Sequence, residues 1–424
     1  MNKKVFGSLV ALSLLVSGVG TAAASAPAAR STATQGVTDD AIKIGITYVD
    51  LASLRARNIV DTDHGDYEVA FNAIIDDLNE NGGIDGRTLD PVFATVNPIG
   101  TTPAQEACVK LTEDEQVFAA VGFFLGDAPL CYLEAHKIPI IGGNLTEEYT
   151  DRAQAPWFST EPGDAATGQV IDALAKEGAF KRKPVAIIAA STQELQVKNF
   201  VVPALKRNGI KPKVFLGDAP PGDIPAAEAE TDILMQRFES DGVKTIVGVN
   251  GSENGVADSL VRLGSDYRPR LVATVPGGLT AFAQANVDDP YPAIFKHALS
   301  AGPQPIFDEP QLQHCFRLVE KAAGLDFEIK EEAAEGEPDW RVSATTACQT
   351  IALFKAIVEA AGPNLTVKSF GKAGDNLLKL DLPGLGATTY DPATRSYAQP
   401  IFIYRYDVNS DQKLVADSEP VKGV

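Results

Sequence analysis

The stretch Ala41–Val96 most constrains the fold, because it has the pattern of one complete βαβ unit. It opens with the β-branched run Ala41–Val49, and apolar residues three and four apart in Tyr67–Leu78 then predict an amphipathic helix. The pair Gly82-Gly83 follows at a point where a helix exit often needs positive φ, and a second strand begins near Leu89. A strand, a helix and a parallel return strand form the building block of a doubly wound sheet.

The same alternation continues along the chain. Strand-like runs occupy residues 91–96, 117–123, 138–142, 184–190, 212–216, 244–249 and 270–275. Helical patterns lie between them at 103–112, 128–136, 164–178, 194–208, 226–240 and 253–264. Strands that alternate with helices in this way predict parallel sheets covered on both faces. A hairpin is predicted from the runs 401–406 and 413–415 across a turn at 409–411, and the fold class is therefore α/β.

The residues of the first βαβ unit form a motif that is characteristic of one protein family. Ile42-Lys43-Ile44-Gly45 precedes a helix that ends in Asn79-Glu80-Asn81-Gly82-Gly83-Ile84-Asp85-Gly86-Arg87, and this string resembles the start of type I periplasmic binding proteins, in the branch that captures leucine, isoleucine and valine. The resemblance extends over 42–415. It implies two doubly wound lobes joined by a three-strand hinge, and a solute-binding protein of an ABC importer that closes around a small polar or amphipathic solute. It also implies docking on the ABC permease subunits in the membrane.

The N-terminal segment has the pattern of a signal peptide. Lys3 and Lys4 precede the apolar stretch Val5–Val19, which falls short of the roughly 20 residues that a membrane span needs, and small residues follow. We expect a signal peptide over 1–24 and a disordered lead over 25–40. Since no lipid-attachment cysteine follows the apolar stretch, the mature protein is expected to be periplasmic or secreted.

Lobe boundaries are placed where proline and glycine interrupt the alternation. The resemblance implies three crossings between lobes, and we place them at 156–162, 275–278 and 382–386. The N-terminal lobe then comprises residues 41–157 and 276–383, and the C-terminal lobe comprises 158–275 and 384–416. Within the second part of the N-terminal lobe, the segment 304–341 shows no regular apolar pattern and is expected to be irregular. The apolar face of Ala344–Ala361 predicts a helix of the same lobe.

The net charge of the chain restricts the partners that it can bind. A formal net charge of −19 disfavours nucleic acid and anionic lipid as partners, and we expect a monomer.

Four cysteines in an exported chain predict two disulfides, and three pairings are possible. We favour Cys108–Cys131 and Cys315–Cys348, because the members of each pair lie on neighbouring predicted helices. Without a Cys-x-x-Cys motif we expect no metal site and no cofactor.

Motifs for catalysis are missing from the sequence. It contains no Gly-x-Ser-x-Gly elbow, no His-Glu-x-x-His, no Walker loop and no Rossmann Gly-x-Gly-x-x-Gly. We therefore expect a binding protein and not an enzyme. A ligand-sensing module for a membrane receptor on the same fold stays open as an alternative, and an exported hydrolase is the less favoured one.

Ligands of parallel α/β sheets bind at the carboxyl ends of strands, so the residues that follow the predicted strands are the site candidates. In the first lobe these are His64 before the first helix, Phe124 and Gly126 after the third strand, and Asn144 and Thr146 after the fourth. The resemblance implies a hydroxyl contact from Thr146 to the ligand. The Ser that amino-acid binders of this family carry near Gly126 is missing.

The second lobe supplies the remaining candidates. Gln193 and Glu194 follow the strand at 184–190, Asn250 and Ser252 follow the strand at 244–249, and Thr274 lies at the second expected crossing. Amino-acid binders of the family often carry a Glu at this crossing for the ligand ammonium, and this chain does not. Because unpaired buried charges are costly, both departures leave the identity of the solute open.

Overall fold

The computed structural model describes residues 34–57, 62–97, 102–143, 145–161, 163–219, 223–304, 306–330, 333, 337–391 and 396–422. The expected signal peptide, the first part of the lead and Asn144 lie outside these residues. Within the described part of the chain, no helix combines the length and the apolar character that crossing a membrane requires.

The observed elements follow the predicted alternation closely. The strands are β1 Ala41–Val49, β2 Thr88–Val96, β3 Ala119–Gly122, β4 Ile140–Gly142, β5 Trp157–Phe158, β6 Val185–Ala190, β7 Lys213–Gly217, β8 Thr245–Gly248, β9 Arg270–Ala273, β10 Leu299–Gly302, β11 Lys379–Leu382, β12 Gly386–Asp391, β13 Ser396–Ala398, β14 Phe402–Tyr406 and β15 Leu414–Ala416. The helices are α1 Leu51–Ala56, α2 Tyr67–Glu80, α3 Thr102–Val109, α4 Ala128–Leu130, α5 Glu147–Thr150, α6 Thr167–Lys176, α7 Glu194–Gln196, α8 Val202–Arg207, α9 Ile224–Ser240, α10 Ser252–Arg262, α11 Pro276–Ala285, α12 Tyr291–Phe295, α13 Pro310–Ala323, α14 Trp340–Ala361 and α15 Val367–Asn376.

The first sheet is entirely parallel. Its strand order is β2-β1-β3-β4-β5, with β1 paired to both β2 and β3. Buried residues of α2, α13, α14 and α15 pack on one face of this sheet, and α3 with the π-helical turns 110–114 and 131–136 covers the other. Burial on both faces explains why the inner strands β3 and β4 are continuous apolar runs.

The second sheet has seven strands in the order β15-β14-β10-β9-β8-β6-β7. The five strands from β10 to β7 are parallel, and β14 and β15 are antiparallel additions that form the predicted hairpin. One apolar cluster, which includes α6 and α8, covers one face, and a second cluster, which includes α9 to α12, covers the other. The expected α/β class with parallel sheets is confirmed.

Local chemistry sets the bounds of helix α2. The carboxylate of Asp66 accepts hydrogen bonds from the backbone N–H groups of Glu68 and Val69 at 2.8 and 3.1 Å, as an N-cap does. The helix ends before Gly82 and Gly83, whose φ angles are 98° and 66°. A Cβ at position 83 would overlap the carbonyl oxygen of Arg87, so glycine is required there for the chain to turn back into β2.

Two of the expected crossings lie elsewhere in the structure. Strand β10 pairs in parallel with β9 and antiparallel with β14, so 276–302 packs on the second sheet and not on the first. Strands β11 to β13 form a small antiparallel sheet whose Leu382, Tyr390 and Tyr397 pack in the core of the first sheet. The chain therefore passes between the sheets after Phe158, after Gly302 and after Ala398.

Two other expectations are corrected. The segment expected to be irregular contains helix α13, which Glu309 caps by accepting from the N–H groups of Gln311 and Leu312. Residues 34–40, expected in the disordered lead, pack against the first sheet, since the Gln35 side chain donates to the carbonyl oxygen of Val117 at 3.1 Å. The acidic part of the expected irregular segment lies largely outside the described residues.

Both favoured disulfide pairings are confirmed. Cys108 is bonded to Cys131 and Cys315 to Cys348, with Cα–Cα distances of 6.4 and 6.2 Å, and no described cysteine is free. Each bridge joins helical segments that pack on the same sheet, which is why helix adjacency was sufficient to predict the pairing.

Removing one disulfide is expected to lower the free energy of unfolding. The bridges close loops of 23 and 33 residues, and the chain-entropy model gives each a contribution of about 3 kcal/mol. We expect the double variant Cys108→Ser/Cys131→Ser to lose roughly that amount in denaturant unfolding at neutral pH. The second double variant, Cys315→Ser/Cys348→Ser, leaves the other bridge intact and is expected to lose a similar amount. A loss below about 1 kcal/mol in both variants would contradict the prediction.

Candidate functional site

A cavity of about 530 Å³ lies where strand ends of both sheets face each other. Its volume is in the range typical of small-molecule sites. The residues that line it are Thr47, Tyr48, Val49, Tyr67, Gly122, Phe123, Phe124, Leu125, Gly126, Gly143, Thr146, Glu148, Tyr149, Glu161, Asp164, Thr192, Gln193, Leu195, Gln196, Asn250, Val342 and Thr346. Most of them follow the carboxyl ends of β1, β3, β4, β6 and β8, as the parallel topology requires.

Glycines at two strand ends bring the neighbouring strands close together. Gly122 ends β3 with φ 112°, and a Cβ there would overlap the carbonyl oxygen of Thr47 on β1. Gly142 ends β4 with φ 124°, and a Cβ there would overlap the carbonyl oxygen of Gly122. The strands therefore end side by side, and the loops that follow them open directly onto the cavity.

Aromatic rings form much of the wall on the side of the first sheet. Tyr48 at the end of β1 stacks on Tyr67 of α2 with ring centroids 5.7 Å apart, and its hydroxyl donates to Glu68 at 2.5 Å. Phe124 packs edge to face on Tyr132 with centroids 5.3 Å apart, and Tyr149 lines the cavity from α5. Burial raises the pKa of the Tyr67 phenol to about 12, so this hydroxyl stays protonated at neutral pH.

Hydrogen bonds fix the wall on the side of the second sheet. Asn250 has a φ of 46°, its backbone N–H donates to the Thr274 hydroxyl at 3.1 Å, and its side-chain amide donates to Gln196 at 3.0 Å. The Gln196 amide in turn donates to Thr167 at 2.9 Å. This chain of bonds holds Asn250 rigidly at the end of β8, with its side chain exposed to the cavity.

Five of the residues predicted from the sequence line this cavity, namely Phe124, Gly126, Thr146, Gln193 and Asn250. Thr146 lines the cavity, and its hydroxyl oxygen is buried without a hydrogen-bond partner among the described residues. The predicted Asn144 lies outside the described residues.

The four other predicted residues do not line the cavity. His64 lies behind its wall, where its Nδ1 is 2.8 Å from the hydroxyl of Tyr67, and burial lowers the pKa of its imidazole. The Ser252 hydroxyl donates to the carbonyl oxygen of Val249, and Thr274 is buried beneath Asn250. Glu194 begins α7 and is exposed outside the lining, between residues that contribute to it.

Several residues that line the cavity were not among the candidates predicted from the sequence. Tyr48 lies in the last residues of β1 and Thr192 comes two residues after β6, and the strand-end rule that selected the other candidates could have found them. Val342 and Thr346 come from the first turns of α14, which no strand end indicates. Glu161 follows β5 in the first passage between the sheets, where the sequence was interpreted as a boundary only.

The charged groups of the wall are acidic. Glu148, Glu161 and Asp164 line the cavity, and no Lys, Arg or His is among its described lining residues. Surrounding protein atoms restrict the hydration of Glu161, although the side chain is open to the cavity, and this raises the pKa of its carboxyl.

A second glutamate is buried just behind the cavity wall. Glu253, at the start of α10, is fully buried, and neither carboxyl oxygen makes a well-formed hydrogen bond within the described chain. Burial raises the pKa of this carboxyl to about 7, although the backbone N–H groups of Glu253 and Gly251 act in the opposite direction. Its ionisation in the folded state is therefore costly.

Fold and cavity together define an α/β protein with a candidate ligand site at the strand ends of two sheets. A family model described as periplasmic binding protein matches residues 61–257. The resemblance to type I periplasmic binding proteins predicted from the sequence is confirmed, and the chain has their fold. No curated protein sequence matches the chain.

Solved structures similar to this chain come from several bacteria. An ABC transporter substrate-binding protein from Desulfitobacterium hafniense in complex with leucine is 13% identical with a TM-score of 0.60, covering 89% of this chain and 100% of its own. A solute-binding protein from R. palustris in complex with 4-hydroxybenzoate is 17% identical with a TM-score of 0.61, covering 90% and 96%. A fatty acid ABC transporter substrate-binding protein from Thermomonospora curvata is 16% identical with a TM-score of 0.58, covering 91% and 94%.

Replacing Glu253 is expected to change how stability depends on pH. Because the folded-state pKa of about 7 lies above the ordinary value of 4.5, the folded state binds more protons between these values and loses stability as pH rises through them. Glu253→Gln removes this loss. We expect the stability of the variant relative to the wild type to rise by roughly 2–3 kcal/mol between pH 4.5 and pH 8 in denaturant unfolding. The exposed Glu194→Gln is the control, and a pH-independent difference for Glu253→Gln would contradict the prediction.

Proposed function

We propose that this chain is the extracytoplasmic solute-binding protein of an ABC importer, which captures a small polar or amphipathic solute by hinge closure. The observation that carries the proposal is the cavity of about 530 Å³ with lining residues from both sheets. A ligand that contacts both sides gains its full contacts only in a closed form, and this difference in affinity shifts the population toward closure. The family match and the fold support the same function.

The two sheets are proposed to be the cores of two lobes that move relative to each other. With the strand pairing taken into account, the N-terminal lobe comprises residues 34–158 and 306–398, and the C-terminal lobe 163–304 and 402–416, each taken over its described residues. The hinge then consists of the passages after Phe158, Gly302 and Ala398. Three passages restrict the motion to bending and twisting, because each fixes one point of one lobe relative to the other.

Ligand contacts are proposed for one polar group on each side of the cavity. Thr146 offers an unpaired hydroxyl from the N-terminal lobe, and Asn250 offers its side-chain oxygen from a rigid position on the C-terminal lobe. Phe124 and Gln193 complete the proposed contacts, with Gly126 leaving space beside them. The solutes of the similar structures, which include leucine and 4-hydroxybenzoate, support a ligand of this size.

The remaining properties follow from the same proposal. Residues 1–24 direct export as a signal peptide, and the mature protein acts as a monomer in the periplasm or as a secreted protein. The closed form docks on ABC permease subunits. The protein releases its solute chemically unchanged, so it is not an enzyme.

Removing either proposed polar contact is expected to weaken solute binding without unfolding the protein. A thermal-shift screen over amino acids, amines, amides and aromatic and aliphatic acids first identifies a solute. Thr146→Val and Asn250→Ala are each expected to raise its Kd by about 5- to 10-fold, the usual effect of one lost hydrogen bond. Isothermal titration calorimetry measures the Kd, and small-angle scattering with and without solute measures closure.

The matched control is Thr95→Val, on the exposed side of β2 and away from the cavity. It is expected to leave both the Kd and the scattering profile unchanged. Scattering and melting curves that stay unmoved across the whole solute panel would contradict the proposed function. A solute that binds equally well to the wild type and to both cavity variants would instead contradict the assignment of Thr146 and Asn250.

A further inference from the structure

The charge of the cavity wall restricts the solutes that it can accept. Three carboxylates line it, those of Glu148, Glu161 and Asp164, and its described lining includes no basic side chain to oppose them. Of the internal stretches that the structure does not describe, 58–61, 98–101, 144 and 162 contain no Lys, Arg or His in the sequence, whereas 392–395 contains Arg395. A negatively charged ligand group would therefore meet like charges, without a cation of the described lining to offset them.

Glu161 differs from the other two acidic residues in having no partner for its carboxylate among the described residues. Glu148 lies close enough to Arg152 for an electrostatic attraction between the two charged groups. Asp164 also interacts with another residue of the protein. The Glu161 carboxylate makes no hydrogen bond and no ion pair with any described residue, although it is open to the cavity. Restricted hydration alone determines the direction of its pKa shift, so nothing in the described protein neutralises this carboxylate.

Aromatic residues line the same cavity as this carboxylate, among them Tyr48, Tyr67, Phe124 and Tyr149. Ring faces attract ammonium groups through their quadrupole, by about 0.5–2 kcal/mol each depending on exposure to water. A carboxylate gains nothing comparable from ring faces, so these residues favour the same sign of ligand charge as Glu161.

We propose that the solute is an organic cation without a free carboxylate, an amine or quaternary ammonium with a compact apolar body, and that Glu161 is its counter-ion. This proposal rests on the proposed function and specifies the ligand class of the same cavity. The net charge of −19 acts in the same direction, because its long-range field raises the local concentration of cations.

The test compares ligands that share an apolar body and differ in the charged groups attached to it. One set consists of 3-methylbutylamine, leucine and 4-methylpentanoate, which share one apolar body. A second set consists of tyramine, tyrosine and 3-(4-hydroxyphenyl)propanoate, and choline and spermidine extend the cationic probes. Calorimetry at pH 7.5 and low salt is expected to give the cations at least 10-fold tighter binding than the matched zwitterions, and no binding of the anions.

Glu161→Gln separates the proposed ion pair from other effects. This variant keeps the size of the side chain and is expected to weaken binding of the best cation by about 10- to 100-fold, the effect of losing a charged hydrogen bond. The control Glu194→Gln removes the same charge from an exposed position outside the lining and is expected to leave the Kd within about 2-fold. A thermal melt confirms that both variants fold.

Several results would overturn the proposal. Tighter binding of a zwitterion or anion than of its matched cation would do so, as would an unchanged Kd in Glu161→Gln. Failure of every cationic probe to bind at 10 mM would also overturn it. The proposed function would survive any of these results if another solute in the screen bound and induced closure, so the two failures are distinguishable.

Discussion

Close approach between the ends of neighbouring parallel strands is the constraint on which the cavity depends. Only glycine fits at positions 122 and 142, because a Cβ at either would overlap a carbonyl oxygen of the adjacent strand end. The strands can then end side by side, and the loops after them reach the same space with Phe124 and Thr146. The second sheet presents Asn250 by a different means, a network of side-chain hydrogen bonds. Packing thus fixes one wall of the site and polar contacts fix the other.

The sequence predicted most of the helices and strands but missed β10 and α13, for different reasons. Strand β10 is only four residues long and includes Ser300 and Gly302, so its apolar pattern does not stand out, and only its pairing with β9 and β14 shows where it belongs. Helix α13 carries apolar residues at Leu312, Phe316 and Val319, and the cap at Glu309 with the following proline could have revealed it. Two of the three crossings were misplaced because proline and glycine mark turns within a sheet as well as passages between sheets.

The candidate site was predictable as a region but not residue by residue. The strand-end rule identifies which loops reach the cavity, yet it cannot say which side chain of a loop faces inward. Gln193 and Gln196 lie three residues apart and share a helical face that lines the cavity, whereas Glu194 lies off that face. The contribution of α14 was invisible from its own sequence, because Val342 and Thr346 reach the site only through the packing of this helix on the first sheet.

Two glutamates, Glu253 and Glu161, are both surrounded by protein, but only Glu161 can be reached from the cavity. Poor hydration therefore affects folding at Glu253 and ligand binding at Glu161. Glu253 is sealed behind the wall, so no ligand can approach its carboxyl, and the cost of its ionisation acts only on folding. Glu161 is also surrounded by protein, but its carboxylate is open to the cavity. A cationic solute can offset the incomplete hydration of Glu161 on binding, which converts that cost into a preference for one sign of ligand charge. The fold is shared with proteins of other specificities, and such a preference depends on a few side chains at the strand ends.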